Sequence, residues 1–89
     1  MAWRLEFTKD ARNDLDTLDS TARRRVIEKT DWLLTNFENI HPFPLSGSWK
    51  GFFKLRTGDI RIIYTIRASK ELIRVEYVDR RDKIYKRRT

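Results

Sequence analysis

The amino-acid sequence predicts an α+β fold in which two helices pack on one face of a mainly antiparallel, four-stranded β-sheet, in the order β-α-α-β-β-β. Two observations predict it. The opening "AWRLEF" and the segment from Trp49 onward alternate apolar and polar residues, the period of half-buried strands, whereas the residues between them show helical spacing. Since 89 residues can bury only one core, residues 1–89 are expected to form a single domain.

Two helices are predicted after the first strand, and each begins at a capping residue. Thr8 is the expected N-cap of the first helix, which ends near "LDST", and Ser20 is the expected N-cap of the second, which ends near Asn36. Because the link between them is short, the helices should form an antiparallel hairpin that covers the sheet. The apolar stripe expected on the second helix comprises Ala22, Val26, Ile27, Leu33, Leu34 and Phe37. The other aromatic residues expected in the core are Trp3, Trp32, Trp49 and Phe53.

A loop is predicted at "ENIHPFPLSGS", which Pro42, Pro44 and Gly47 punctuate. The only histidine of the chain, His41, lies in this loop without an evident partner, so we assign it no catalytic role. Three strands follow, separated by "TGD" and "ASKE".

The first pair of these strands forms a hairpin whose register the turn determines. Gly58-Asp59 is suited to a two-residue type II′ turn, in which glycine comes first, and this turn pairs Thr57 with Ile60. Arg56 then lies opposite Arg61. The apolar side chains of the hairpin share the face that the helices cover, and they are Phe53, Leu55, Ile60, Ile62 and Tyr64. Its cations, Lys54, Arg56 and Arg61, share the other face.

The net charge of +7 indicates polyanionic partners. All of the excess lies in residues 47–89, which include the hairpin and the basic segment "VDRRDKIYKRR". Cations around an aromatic residue, here Tyr85, suit RNA, because they hold phosphate while the ring stacks on an unpaired base. The alternative is that these cations only keep an open sheet face and a chain end hydrated, without a binding function.

Several classes of function lack support in the sequence. The chain has no cysteine, zinc-ligand spacing, Walker motif or pair of catalytic carboxylates, so no metal or other cofactor is expected. It also has no apolar segment long enough to cross a membrane and no secretory leader, which indicates a cytoplasmic protein without a membrane partner.

"LSGSWKGFFKLRTGDIRIIY" followed by "VDRRDKIYKR" resembles the RelE branch of the RelE/ParE toxin superfamily, and the likeness spans nearly the whole chain. Its most specific part is the pattern K-L-R-x-G-x-x-R-x-x-Y, which runs from Lys54 to Tyr64. The resemblance implies a RelE-like fold and a toxin of a type II toxin-antitoxin system. It further implies a metal-independent endoribonuclease that cleaves mRNA in the ribosomal A site, inhibits translation and is neutralised by a RelB-like antitoxin.

The resemblance also implies the site. Carried over by position, the catalytic residues are Lys54, Arg61, Arg81 and Tyr85. Lys54 or Tyr85 is expected to act as the base. Arg61 is expected to stabilise the phosphorane, and Arg81 to orient phosphate or assist the leaving oxygen. The expected RNA-binding residues are Lys50, Arg56, Arg80, Lys83, Lys86 and Arg87.

The chain departs from the family at two positions. Arg80 precedes Arg81 where a histidine is more common, and Phe52 stands where some members have a lysine. The departures leave open which cation performs which role, and two alternatives of function stay open as well. One is a toxin of the ParE branch, which poisons DNA gyrase from the same scaffold, and the other is a non-catalytic, basic nucleic-acid-binding module.

Overall fold

The computed structural model describes residues 2–88, so Met1 and Thr89, the ends of the predicted domain, lie outside the described residues. The strands are β1 (Arg4–Phe7), β2 (Phe43–Pro44), β3 (Phe53–Thr57), β4 (Ile60–Arg67) and β5 (Leu72–Arg80). The helices are α1 (Lys9–Thr17), α2 (Ser20–Asn36) and the single turn α3 (Arg81–Ile84), and short 3-10 turns cover residues 37–39, 47–49, 68–70 and 85–88. The predicted α+β fold is confirmed.

The sheet has five strands in the order β1-β5-β4-β3-β2, not the four that we predicted. β1 runs parallel to β5, and the other neighbours are antiparallel. The additional strand β2 lies within the predicted loop and pairs Phe43 with Lys54 and Pro44 with Phe53. It escaped prediction because it has two residues and one is a proline, which lacks the N–H that a central strand donates and is tolerated at a sheet edge.

The helix hairpin forms where the sequence predicted it, with one difference in capping. Thr8 caps α1, since its Oγ1 accepts a hydrogen bond from the Ala11 N–H at 3.1 Å. Asp19, not Ser20, caps α2, because its backbone is still extended and its Oδ1 accepts from the Ala22 N–H at 2.8 Å. Both residue types are good caps, but the carboxylate also interacts favourably with the positive end of the helix dipole.

The buried stripe of α2 is narrower than predicted. Thr30 is buried within it, and its hydroxyl donates to the Ile27 carbonyl at 2.9 Å. Ile27 and Trp32 are 39% and 42% exposed, so both predictions of core placement were wrong. Each lies one residue, or about 100° of helix, away from the stripe.

The predicted register of the β3-β4 hairpin is confirmed. Thr57 pairs with Ile60 and Arg56 pairs with Arg61. Gly58 has a φ of 61°, which a type II′ turn requires at its first central residue. The predicted apolar face of the hairpin packs against residues of α1 and α2, and Tyr64 is fully buried there.

The opposite face of the sheet carries a second, smaller apolar cluster. Trp49, Ile63 and Ile84 form its buried centre, so the 3-10 turn at 47–49 and α3 both fold onto this face. A β-bulge adds to it: Ile63 pairs with Tyr77 while Tyr64 pairs with Val75, which leaves one extra residue in β5 and places Tyr77 on this side. The face that we expected to be open is therefore partly covered.

Candidate functional site

We call the side of β3 and β4 that faces away from α1 and α2 the cationic face. Its register places Arg56 beside Arg61 and Lys54 beside Ile63, at the margin of the small apolar cluster. Like charges on directly opposed residues are destabilising, so this arrangement requires a compensating group. Asp79 supplies a negative charge on the next strand, where it is the register partner of Arg61.

Arg61 is held close to the hairpin turn. Its Nη1 donates to the carbonyl oxygens of Gly58 at 3.0 Å and Ile60 at 3.4 Å, and the side chain is only 7% exposed. The guanidinium thus satisfies buried backbone acceptors at the turn, and it adds positive charge beneath the cationic face.

The C-terminal turn is tied to the same end of the sheet. The backbone N–H of Arg81 donates to the Asp59 carbonyl at 2.8 Å, and the Arg80 side chain pairs with the Asp59 carboxylate at 2.9 Å. The start of α3 is consequently anchored at the β3-β4 turn, which also holds Arg61. Arg81 itself is exposed.

Tyr85 lies on the cationic face through its contact with Trp49. The two rings meet edge to face with centroids 6.2 Å apart, while the preceding Ile84 is buried in the small apolar cluster. The Tyr85 side chain is still 37% exposed. Its phenol is therefore positioned by apolar packing and remains accessible to a ligand.

Lys54 lies on β3, farther from the hairpin turn than Arg61 lies on β4, and it is next to the strand β2. Its ammonium is 4.4 Å from the centroid of the Phe43 ring, a cation–π contact with the residue that pairs with it across the strands. The described part of the chain provides no carboxylate partner for Lys54 within ion-pair distance. A cation in this state is available to an external anion.

The predicted RNA-binding residues fall into two groups. Lys50, Arg56, Lys83, Lys86 and Arg87 are exposed, and Arg80 is half-buried. Arg80 and Arg87 form ion pairs with carboxylates of the chain. Arg87 Nη1 lies 2.9 Å from Asp14 Oδ2 and 3.4 Å from Asp79 Oδ2.

Arg87 also stacks on Tyr77, with its Cζ 4.8 Å from the ring centroid. Partial burial lowers the pKa of Arg87, but the hydrogen bond to Asp14 and the charges of both carboxylates outweigh this effect and raise it. We call this set the Arg87 clasp: Arg87, Asp14, Asp79 and Tyr77. No sequence signal indicated it, because Asp14 and Arg87 are 73 positions apart.

The range of residues 2–88 holds no cluster of three or more histidine, cysteine, aspartate or glutamate side chains suited to a metal ion. None of its helices combines the length and the apolar character that a membrane span needs. His41 is exposed in the segment before β2.

Comparison with known proteins agrees with this architecture. The sequence profile described as "ParE toxin of type II toxin-antitoxin system, parDE" matches residues 5–85. No curated protein sequence was similar enough to be matched. Several solved structures are similar to this protein over most of its chain.

The toxin-antitoxin complex RelBE2 from Mycobacterium tuberculosis is 27% identical, with a TM-score of 0.80 over 91% of this chain and 93% of that chain. A mutant E. coli toxin RelE in the free state is 25% identical, with a TM-score of 0.74 over 96% and 90%. The archaeal RelE-RelB complex from Pyrococcus horikoshii OT3 is 22% identical, with a TM-score of 0.70 over 91% and 97%, which shows the fold alone. The profile match covers nearly the whole chain and the fold is RelE-like, so this protein belongs to the RelE/ParE superfamily as a toxin of a type II toxin-antitoxin system.

Proposed function

We propose that this toxin is a metal-independent endoribonuclease that cleaves mRNA in the ribosomal A site and so inhibits translation in the cytoplasm. One observation carries the proposal: the cationic face gathers Lys54, Arg61 and the C-terminal turn that bears Arg81 and Tyr85. These groups come from three segments of the chain, namely β3, β4 and the C-terminal turn.

The proposed reaction is attack of the ribose 2′-oxygen on the adjacent phosphorus, with departure of the 5′-oxygen. It needs a base for the 2′-hydroxyl, charge stabilisation at the pentacoordinate phosphorus and a proton for the leaving oxygen. Lys54 or Tyr85 is the proposed base. Among residues 2–88 Lys54 has no carboxylate partner, and the Tyr85 phenol is accessible, so both can meet a bound nucleotide.

The two arginines receive different roles. Arg81 is exposed at the start of α3 and is proposed to bind the scissile phosphate. Arg61 is proposed to stabilise the phosphorane, and direct contact requires its guanidinium to turn away from the Gly58 carbonyl. Without that movement it contributes positive charge from beneath the surface.

The ribosome enters the proposal because the site lacks strong proton-transfer groups. The chain's only histidine, His41, is in the loop, and Arg81 is a poor proton donor because arginine stays charged in proteins. Orientation of the substrate must then supply much of the rate, and a decoding site that holds the message in place does so.

The proposed partners are the ribosome, mRNA and a RelB-like antitoxin. The similar structure from M. tuberculosis is described as a toxin-antitoxin complex, which supports the last of these. Exposed Lys50, Arg56, Lys83 and Lys86 are the proposed contacts to RNA phosphates.

The test is a cleavage assay on purified ribosomes programmed with a defined message, with new 5′ ends mapped by primer extension. Cleavage confined to the A site, lost in Arg81→Ala and retained in Arg67→Ala, is the expected result. Arg67 is the matched control because it is an exposed arginine at the far end of β4. Fast cleavage of naked RNA, or no cleavage by a folded toxin, would refute the proposal.

A second candidate is poisoning of DNA gyrase. The observation in its favour is the matched family profile, which is described as a ParE toxin. Inhibition of gyrase supercoiling by the pure protein, with no new 5′ ends on the ribosome, would establish it.

A further inference from the structure

Tyr85 belongs to a short 3-10 turn, Tyr85–Arg88, that lies outside the sheet. The hydrogen bonds within such a turn are poorly aligned, and Tyr85 is 37% exposed. A group proposed to take a proton must nevertheless be held within hydrogen-bond reach of the substrate. The position of the phenol therefore depends on the contacts that its neighbours make with the rest of the fold.

These contacts hold the turn on both sides of Tyr85. On the N-terminal side, Ile84 is fully buried in the small apolar cluster. On the C-terminal side, the Arg87 clasp places Nη1 of Arg87 2.9 Å from Asp14 Oδ2 and 3.4 Å from Asp79 Oδ2. Loss of the clasp would remove the two ion pairs that fasten the C-terminal side.

The two carboxylates of the clasp are themselves fixed. Asp14 Oδ2 also accepts the Val78 N–H at 2.9 Å, which ties this side chain of α1 to β5. Asp79 Oδ1 accepts the Arg80 N–H at 2.8 Å. Because backbone donors hold both carboxylates, they present Arg87 with a preorganised pair of anions.

A row of aromatic rings connects the clasp to Tyr85. The Arg87 Cζ lies 4.8 Å from the Tyr77 ring centroid. Tyr77 meets Trp49 edge to face with centroids 5.8 Å apart, and Trp49 meets Tyr85 in the same way at 6.2 Å. Arg87 thus covers one end of the ring cluster against which Tyr85 rests.

The same contacts make Arg87 a poor partner for an RNA phosphate. The sequence placed it among the expected RNA-binding residues, yet its guanidinium lies within ion-pair distance of two carboxylates. An approaching phosphate would meet the negative charges of Asp14 and Asp79. Arg56 and Lys83, by contrast, are exposed and form no ion pair among the described residues.

We propose that Arg87 is a positioning residue, which holds Tyr85 in the proposed cleavage site and does not itself bind RNA. The catalytic consequence rests on the proposed function, whereas the attachment of the turn does not. Arg87→Ala and Asp14→Asn break the clasp from opposite sides and change the net charge in opposite directions. A phosphate-binding role would make their effects on RNA affinity opposite, but a positioning role makes both slow the reaction.

The kinetic test measures single-turnover cleavage on programmed ribosomes as a function of toxin concentration. Both clasp variants should lower the rate at saturating toxin by about tenfold and leave the half-saturating concentration within about twofold. The matched control is Arg12→Ala, which removes the same charge from an exposed residue of α1 that forms no ion pair within residues 2–88. It should alter either quantity by less than about twofold.

A double variant tests whether Arg87 acts through Tyr85. In a Tyr85→Phe background, Arg87→Ala should lower the saturating rate by less than about twofold, because the phenol that it positions is already absent. A substitution that only destabilised the fold would lower the rate by the same factor in both backgrounds. All rates are measured at a temperature below the melting transition of every variant.

The attachment of the turn is measured without a ribosome, by fluorine NMR of protein labelled with fluorotryptophan. Trp49 is 6% exposed and contacts Tyr85, so detachment of the turn should expose its ring. In both clasp variants its resonance should gain a solvent isotope shift between light and heavy water. The resonances of Trp3 and Trp32 should keep their wild-type shifts, because these residues lie outside the small apolar cluster.

Three results would overturn the inference. They are a raised half-saturating concentration with an unchanged saturating rate in Arg87→Ala, equal rate losses in the wild-type and Tyr85→Phe backgrounds, and a Trp49 resonance that stays protected in both clasp variants. The first would return Arg87 to the RNA contacts. If the wild type cleaves no message, the proposed function fails, and the NMR measurement alone decides whether the clasp holds the turn.

Discussion

Replacement of Arg87 by alanine tests whether the C-terminal turn is a fastened part of the fold or a free basic tail. In the structure this side chain pairs with Asp14 at 2.9 Å and Asp79 at 3.4 Å and lies over Tyr77. Its removal leaves two partly buried carboxylates without their cation, although Asp14 still accepts the Val78 N–H at 2.9 Å.

The expected loss follows from these contacts. A charge-assisted hydrogen bond contributes about 1.5–3 kcal/mol, and an exposed ion pair or cation–π contact about 0.5–1 kcal/mol. Because Arg87 is partly exposed, solvent screening reduces the sum, and we expect the free energy of unfolding to fall by about 2 kcal/mol. For a chain of this size that corresponds to a melting temperature lower by roughly 10 °C.

Urea unfolding of wild type, Arg87→Ala, Asp14→Asn and the double variant forms the cycle that measures this coupling. A coupling energy near 1 kcal/mol or more is expected for residues in direct contact. Arg12→Ala, on the same helix as Asp14 but exposed, is the control and should change stability by less than about 0.5 kcal/mol. Additive single effects, or a loss in Arg87→Ala no larger than in the control, would refute the clasp.

Three other predictions concern separate parts of the molecule. Burial raises the pKa of Tyr64 to about 12, above the value of 10.0 that the exposed side chain has. Its stabilising contribution is therefore complete below about pH 10 and is lost as the pH rises toward 12. By that pH the wild type should lose about 2–3 kcal/mol more than Tyr64→Phe in unfolding titrations, and parallel pH profiles would contradict this. Asp19→Ala should destabilise by about 1 kcal/mol in urea unfolding, whereas Ser20→Ala should be nearly neutral; the reverse order would mean that Ser20 is the cap. Lys54→Ala should slow A-site cleavage by about 100-fold or more in single-turnover assays while lowering stability by at most about 1 kcal/mol. Full activity in that variant would remove Lys54 from the site.

The elements that the sequence predicted correctly are those specified by neighbours along the chain. The register of the hairpin is an example. The two-residue turn at Gly58-Asp59 and the alternation of apolar and polar residues both predict the pairing of Leu55 with Ile62. Any slip by one residue would move the apolar set to the other face, so the alternatives are excluded locally. Thr8 was identifiable as a cap for the same reason, because its partner is three residues away.

The elements that prediction missed depend on distant residues. β2 exists because β3 offers an edge to Phe43–Pro44, and a two-residue strand has no period of its own. Trp32 is a large apolar residue of the kind that cores contain, but its side of α2 does not face the sheet. It is therefore 42% exposed and lines a cavity beside β3. Neither outcome is encoded in local spacing.

The candidate site divides in the same way. The resemblance placed Lys54, Arg61, Arg81 and Tyr85 by position, and their catalytic roles remain predictions. The structure adds what surrounds each one, from the turn carbonyls at Arg61 to the Trp49 ring at Tyr85. It also separates residues that look alike in the sequence, since Arg87 pairs with Asp14 and Asp79 whereas Arg56 forms no ion pair among the described residues.

The sequence by itself determined the class of fold, the faces of the hairpin and the positive charge, because periodicity, turn residues and composition act over a few residues. Only the tertiary structure decided which cations have partners. The attraction between Asp14 and Arg87 depends on a distance of 2.9 Å between residues 73 positions apart, and the cation–π contact of Lys54 depends on the pairing of β3 with Phe43 of β2. Charge is a property of a residue, but its availability to RNA or to a protein partner is a property of the folded chain.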